Sequence, residues 1–445
     1  MTQFKLLRQR RFAPLFLTQF LGAFNDNVYK NALVFFIAFT LASYLDMNST
    51  VLVILAGGIF ILPFFLFSAT AGQLADKYEK SFLIRCIKFA EICIMLIASV
   101  GFFFQSVWIL MTVLFFMGTQ STLFGPLKYG ILPQHLDMSE LTGGNGLIQT
   151  GTYLAILLGT IAGGVLVAIQ SAGPLYVSGI VISVAILGRL ASQFIPKALA
   201  PDPGLSISWN IPTQTLRIMG FARENRTVFM TIIAISWFWF VGATCLSMVP
   251  SYTKDILLGN EHVGILLLTA FSIGIAAGSL MCEKLSGGRI EMGLVPLGAI
   301  GITLFTIDLF FVGVPVPSAA YTVTPIGAAE FLQHGANWRV LADLTLIGLF
   351  GGIYIVPLYA LMQHRSAAHH RARIIAANNI LNALFMVTSA GVTIGLLSAG
   401  VTIPQVFLVV AMLNVVATGT VFIQIPEFVQ RFLVWTRIAR ASDAR

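Results

Sequence analysis

The sequence predicts an all-α integral membrane protein with twelve transmembrane helices arranged as two six-helix pseudo-repeats. Three observations carry that prediction. The chain is 57% hydrophobic and only 10% charged, whereas a soluble domain carries about 25% charged residues. Its apolar residues come in continuous runs of about 20, the length a helix needs to cross a bilayer, and not in the alternating ten-residue segments of a β-barrel. Its Lys and Arg gather on one set of connections, as they do on the cytoplasmic side of membrane proteins.

The runs fall at residues 12–39, 51–71, 82–104, 107–125, 145–169, 175–195, 227–253, 262–282, 292–313, 339–362, 374–397 and 404–425. The first has no Ala-x-Ala-like cleavage site after a short apolar core, so it is expected to be a retained helix and not a signal peptide. All 26 Lys and Arg except Lys30, Lys88, Arg189, Lys254 and Arg339 belong to the two termini, to the connections after even-numbered runs or, for Arg85, to the first turn beyond such a connection. This places both termini in the cytoplasm, and an even number of spans agrees. The net charge of +8 is therefore a topology signal, with a grip on anionic membrane lipids second. It does not point to nucleic acid.

The longest cytoplasmic connection, "PKALAPDPGLSISWNIPTQTLRIMGFARENR", divides the chain. Residues 1–195 are expected to form an N-terminal six-helix bundle. Residues 196–226 form a linker that opens with prolines and closes with an amphipathic helix. Residues 227–445 form a C-terminal bundle and a basic tail. The halves echo each other: "GPLKYGILPQH" ends span 4 and "VPLYALMQH" ends span 10, while "GGNGLI" opens span 5 and "AANNIL" opens span 11. Parallel six-helix repeats imply a transporter with a site near mid-membrane.

Polar residues inside the spans are the candidates for function, because an ionisable group there must face protein or water. "FNDN" puts Asp26 near the middle of span 1, with Asn25 and Asn27 beside it and Lys30 one turn on. Two readings stand. Asp26 and Lys30 form a structural ion pair along one helix face, or Asp26 belongs to a polar site that meets an ammonium group. Span 3 carries Lys88, able to snorkel, and Glu91, which is too deep for that. Glu91 could complement Lys30, carry a proton or bind an amine. Lys128 ends span 4. Asn145, Gln149, Asn378, Asn379 and Asn382 lie at the starts of spans 5 and 11, where they either line a site or hold helices together. Asp308, Arg339 and Asp343 lie towards the outer side, with Arg339 and Asp343 expected to latch that side. The consecutive Trp237, Phe238, Trp239 and Phe240 cannot share one helix face, and they serve packing or lipid contact more readily than a cation. Glycines of "GTIAGG" at 159–164 would let helices approach closely.

Other chemistries find little support. Cys86, Cys93, Cys245 and Cys282 form no CxxC pair and read as unpaired thiols in apolar surroundings. The six histidines give no metal spacing, and His364, His369 and His370 share one basic loop. No Gly-x4-Gly-Lys-Ser/Thr nucleotide loop occurs. No cofactor, no metal and no enzymatic activity are expected.

"GQLADKYEK" after span 2 resembles the Gly-x-Leu-Ala-Asp loop of the major facilitator superfamily, and "GSLMCEKLSGGR" after span 8 is a degraded copy. The resemblance implies the major facilitator fold, with Gly72 permitting close helix approach and Asp76 and Lys77 acting in a cytoplasmic latch. Together, "FNDN", "GPLKYGIL", "GGNGLIQTGTYLAILLGTIAGG" and "GGIYIVPLYALMQ" resemble the bacterial lysophospholipid transporters. That resemblance implies a flippase of the bacterial inner membrane, and a monomer is expected. It would carry lysophospholipids, chiefly lysophosphatidylethanolamine, to the cytoplasmic leaflet for re-acylation by a partner acyltransferase and acyl-acyl-carrier-protein synthetase, without needing a proton gradient. With the polar positions inside the spans, and with the resemblance adding weight at Asp26 and Lys128, substrate contacts are expected from Asp26, Asn27, Lys30, Glu91, Lys128, Asn145, Gln149, Asn378, Asn379 and Asn382. In one respect the chain departs from this pattern. The family's seventh helix carries an arginine, whereas span 7 here reads "SWFWFVGATCLSMVP", with Leu246 near the aligned place. None of the six histidines has Asp five residues on, so the acyltransferase motif of fused relatives is missing. The rival expectation is a proton-coupled exporter of amphipathic cations or drugs. A lipid enzyme and a docking scaffold are further alternatives that the intramembrane charges and sparse histidines do not favour.

Overall fold

The computed structural model describes residues 3–37, 49–169, 172–312 and 325–436. The basic tail beyond 436 and the end of span 1 beyond residue 37 lie outside the described residues. The helices are α1 (Ala13–Phe36), α2 (Ser49–Lys77), α3 (Lys80–Phe103), α4 (Val107–His135), α5 (Met138–Val167), α6 (Gly173–Ser192), α7 (Ile211–Glu224), α8 (Arg226–Ser251), α9 (Glu261–Ser286), α10 (Leu294–Val312), α11 (Ala328–Gln333), α12 (Gly335–Arg365), α13 (Arg371–Ser398), α14 (Ile403–Gln424) and α15 (Glu427–Trp435). Among the described residues, eleven helical stretches are long and apolar enough to span a membrane. The remaining long helix, α1, carries Asn25, Asp26, Asn27, Lys30 and Asn31, which lower its apolar content. With it the twelve expected spans are present.

Several spans run longer than the apolar runs suggest. α4 continues through Pro126 and Pro133 to His135. Membrane helices tolerate proline where neighbouring groups satisfy the freed backbone. Lys128 is therefore a helical residue and not a loop lysine. α2 likewise reaches Lys77, which places Asp76 on its last turn. The helix starts have clear local causes. Ser106 caps α4 by accepting from the Ile109 amide. Asp137 and Glu140 form a reciprocal box at the start of α5, as Thr402 and Gln405 do at α14. α9 ends at Gly287, in the left-handed region with φ of 61°.

The chain divides into two compact units. The first comprises Met1–Gly144, Gly151–Arg226 and Gln363–Ala383; the second comprises Asn145–Thr150, Thr227–Met362 and Leu384–Arg445. In the first unit a core of Val28, Tyr29, Phe36, Met95, Phe102, Leu110, Met117 and Val181 joins α1, α3, α4 and α6. The Tyr29 hydroxyl donates to the Leu110 carbonyl at 2.7 Å. α5 lies directly on α1, because a Cβ at Gly159 or Gly163 would overlap the carbonyls of Phe24 or Val28. In the second unit the same device is reciprocal. Gly274 and Gly278 of α9 face the backbone of Thr345 and Leu349, while Gly348 and Gly352 of α12 face Phe271 and Ile275. Lipid gives little hydrophobic drive between helices, so this close packing is what holds them.

Candidate functional site

Two polar layers sit behind one another in the first unit. The inner layer is closed. Glu91, 2% exposed, accepts from Lys88 Nζ at 2.5 Å, Gln120 Nε2 at 2.9 Å and Asn25 Nδ2 at 3.0 Å. Lys88, 1% exposed, does not snorkel. Its ammonium occupies space that a Cβ at Gly22 would fill, and it lies 5.3 Å from the centre of the Phe124 ring. A buried ion pair is tolerable only with good geometry and further hydrogen bonds, and this one has both. Glu91 thus complements Lys88, not Lys30.

The outer layer is open. Asp26, Ser121, Lys30 and Lys128 are all only partly buried. Asp26 Oδ2 accepts from the Ser121 hydroxyl at 2.6 Å. Lys30 and Lys128 both lie within electrostatic reach of Asp26. Lys30 Nζ sits 5.6 Å over the Phe60 ring, and Lys128 Nζ 4.6 Å over Tyr129. Among the described residues no ion pair within contact distance joins Asp26 to either lysine. Ser121 also lies 3.3 Å from Gln120 Oε1, so a chain of polar contacts links the open carboxylate to the buried pair. The outcome is one carboxyl and two amino groups that are partly accessible and not in direct contact with one another.

The other expected site residues divide. Asn27 donates to the Ala23 carbonyl of its own helix. Asn31 bonds the Asn27 carbonyl and Thr160 of α5. The asparagines of the motif therefore answer in different directions. Asn378 is fully buried, and neither of its amide atoms has a hydrogen-bond partner. Asn379 reaches towards Gly125 of α4, where it fills the space a Cβ would need. Asn382 is also buried. Asn145 and Gln149 are buried and group with the second unit, where the nearby Thr150 hydroxyl donates to the Ala276 carbonyl.

Asp76, fully buried, accepts from the Ala372 amide at 3.2 Å and from Arg373 Nε at 2.9 Å. Its partner is Arg373, which sequence reading did not single out. Arg373 also reaches Asp202 of the linker at 3.3 Å. Lys77 instead lies over the Tyr78 ring. Gly72 makes room for α13, since a Cβ there would press on Ala376 and Arg373. The linker is held to the same end. Gln73 exchanges hydrogen bonds with the Ser208 backbone, and Phe221 stacks on His370 at 4.2 Å.

Glu79 lies between α2 and α3. Burial pushes its carboxyl up, but hydrogen bonds from the Ala198 amide, the Ser81 hydroxyl and the Ser81 and Phe82 amides outweigh that and hold it below the usual glutamate range.

In the second unit Arg339 is bidentate on Asp308, at 2.9 and 2.5 Å. Its ion-pair partner is thus across on α10 and not its helical neighbour Asp343. Of the aromatic run, Trp237 donates to Asn414 at 2.7 Å and Phe238 packs near Tyr354. Sequence reading also missed Gln120 and Ser121. Their signal was available, as two adjacent polar residues in the middle of an apolar span.

Known proteins share the family and the fold of this chain. A family model described as Major Facilitator Superfamily matches residues 15–390. A protein named lysophospholipid transporter LplT from Citrobacter koseri is 30% identical over 355 residues, covering 78% of each chain. One of the same name from Salmonella typhimurium is 28% identical over 360 residues, again with 78% of each chain covered. Two solved structures share the fold. The human organic anion transporter MFSD10 has a TM-score of 0.69 at 13% identity, covering 93% of this chain and 99% of that one. The transporter FucP in its outward conformation has a TM-score of 0.70 at 14% identity, covering 93% and 98%. The chain belongs to the Major Facilitator Superfamily of membrane transporters, as a relative of the bacterial lysophospholipid transporters.

Proposed function

We propose that this transporter moves lysophospholipids, chiefly lysophosphatidylethanolamine, to the cytoplasmic leaflet of a bacterial inner membrane. The observation that carries the reading is the open layer of Asp26, Lys30 and Lys128, with Ser121 orienting the carboxylate. A phosphoethanolamine headgroup offers one ammonium and one phosphate. Asp26 meets the ammonium and a lysine meets the phosphate, while the single acyl tail stays in the apolar phase. The headgroup is the part that hydrocarbon excludes, so a small polar site is sufficient for the crossing. The cycle is alternating access with lateral entry. Both termini lie on the cytoplasmic side, where an acyltransferase consumes the product. The names of the 28–30% identical relatives support the substrate class.

The test uses purified protein in sealed vesicles with fluorescent lysophosphatidylethanolamine, with and without an imposed proton gradient. Leaflet crossing without a gradient, lost in Asp26→Asn, is the expected result. A wild type that moves no lysolipid, but moves an organic cation only under a gradient, would instead establish a proton-coupled exporter.

A further inference from the structure

In the second unit, α10 and α12 meet through three charged side chains. Both guanidinium contacts of Arg339 go to Asp308. Asp343, one helical turn beyond Arg339 on α12, lies within electrostatic reach of Asp308. Asp343 is 2% exposed, and its Oδ2 has no partner. The Tyr252 hydroxyl, within electrostatic reach of Asp343, is also buried and unpartnered.

A carboxyl taken out of water with an unpartnered oxygen is costly as an anion, and a second carboxylate nearby adds repulsion; one proton relieves both costs. The bidentate guanidinium and partial exposure, 32% for its side chain, keep Asp308 the ionised member. The proton then resides on buried Asp343. The groups facing it are Asp308 from α10, Arg339 from its own helix and Tyr252 from the turn after α8.

We propose that Asp343 and Asp308 form a proton-binding site that fastens the start of α12 to the end of α10. With the proton in place, one carboxylate faces one guanidinium. Without it, two carboxylates face one guanidinium and repel across the helix pair. The site binds H⁺ independently of the lysolipid site in the first unit. The proton need not cross the membrane, so gradient-independent transport is compatible with it.

The test is infrared difference spectroscopy of the full chain in lipid nanodiscs, titrated from neutral to alkaline pH in sodium-free buffer. The wild type should lose a protonated-carboxyl C=O band on titration. That band should be absent from Asp343→Asn. It should also be absent from Asp308→Asn, in which Asp343 inherits Arg339 and ionises. The second variant decides the matter if the first does not fold. Spin labels at Leu304 and Trp338, in a chain lacking Cys86 and Cys93, should move apart at alkaline pH in the wild type and stay put in Asp343→Asn. A band that survives both substitutions would overturn the proposal. So would label separation indifferent to pH, or a band removed by sodium alone at fixed pH, which would make this a metal-cation site.

Discussion

At the scale of single residues, the two polar layers of the first unit predict opposite kinds of mutant. Glu91 and Lys88 are buried partners of one another, which predicts a structural role. Glu91→Gln strands a buried ammonium and should destabilise the fold by about 3–5 kcal/mol. The double change Lys88→Met/Glu91→Leu should recover most of that loss. Unfolding in mild detergent with a denaturant series reads both; equal destabilisation of the single and double variants would contradict the assignment. Ser121 works through Asp26. Ser121→Ala removes a hydrogen bond to a charged group, worth about 1.5–3 kcal/mol. It should weaken lysolipid binding by about tenfold or more while leaving the melting behaviour near that of the wild type. Asp26 was legible in the sequence because a lone carboxylate deep in an apolar run is costly. Which neighbour it meets was not legible, since helical spacing offered Lys30 and the fold supplied Ser121 from a residue 95 positions away.

At the scale of elements, glycine placement separates packing from composition. Gly278→Leu should disrupt α9 against α12, because the new side chain meets the Leu349 backbone. Gly57→Ala and Gly58→Ala on α2 should be nearly silent, since nothing lies within 4 Å of either Cβ position. Thermal stability of the three variants checks this contrast. The glycines of α5 could be read as a close-approach motif from their spacing. The matching pair on α9 and α12 could not, because a helix-contact face is defined by its partner. Glu79 ties the start of α3 to the linker at Ala198. Its folded pKa is depressed, so its contribution is present above the ordinary value of 4.5 and is lost as pH falls through the lower folded value. The acid arm of the stability profile should therefore flatten in Glu79→Gln. An unchanged acid arm would place the linkage elsewhere.

At the scale of the whole molecule, the spans were the most legible feature, because apolar run length and the Lys/Arg bias follow directly from the bilayer. Helix ends were less so. α4 runs through two prolines that local sequence rules would treat as breakers, and this turns Lys128 from a loop residue into a helical one facing the Asp26 layer. The Asp76–Arg373 contact joins residues 297 apart; the motif identified Asp76, but only the fold identifies its partner. Under the proposed function, one headgroup is read by groups of both signs. The most direct test is binding of lysophosphatidylethanolamine and of lysophosphatidic acid, which lacks the ammonium, to Asp26→Asn and Lys128→Met. Asp26→Asn should weaken the first ligand by about ten- to a hundredfold and spare the second, while Lys128→Met should weaken both. Equal loss of both ligands in Asp26→Asn, or none in Lys128→Met, would contradict that reading.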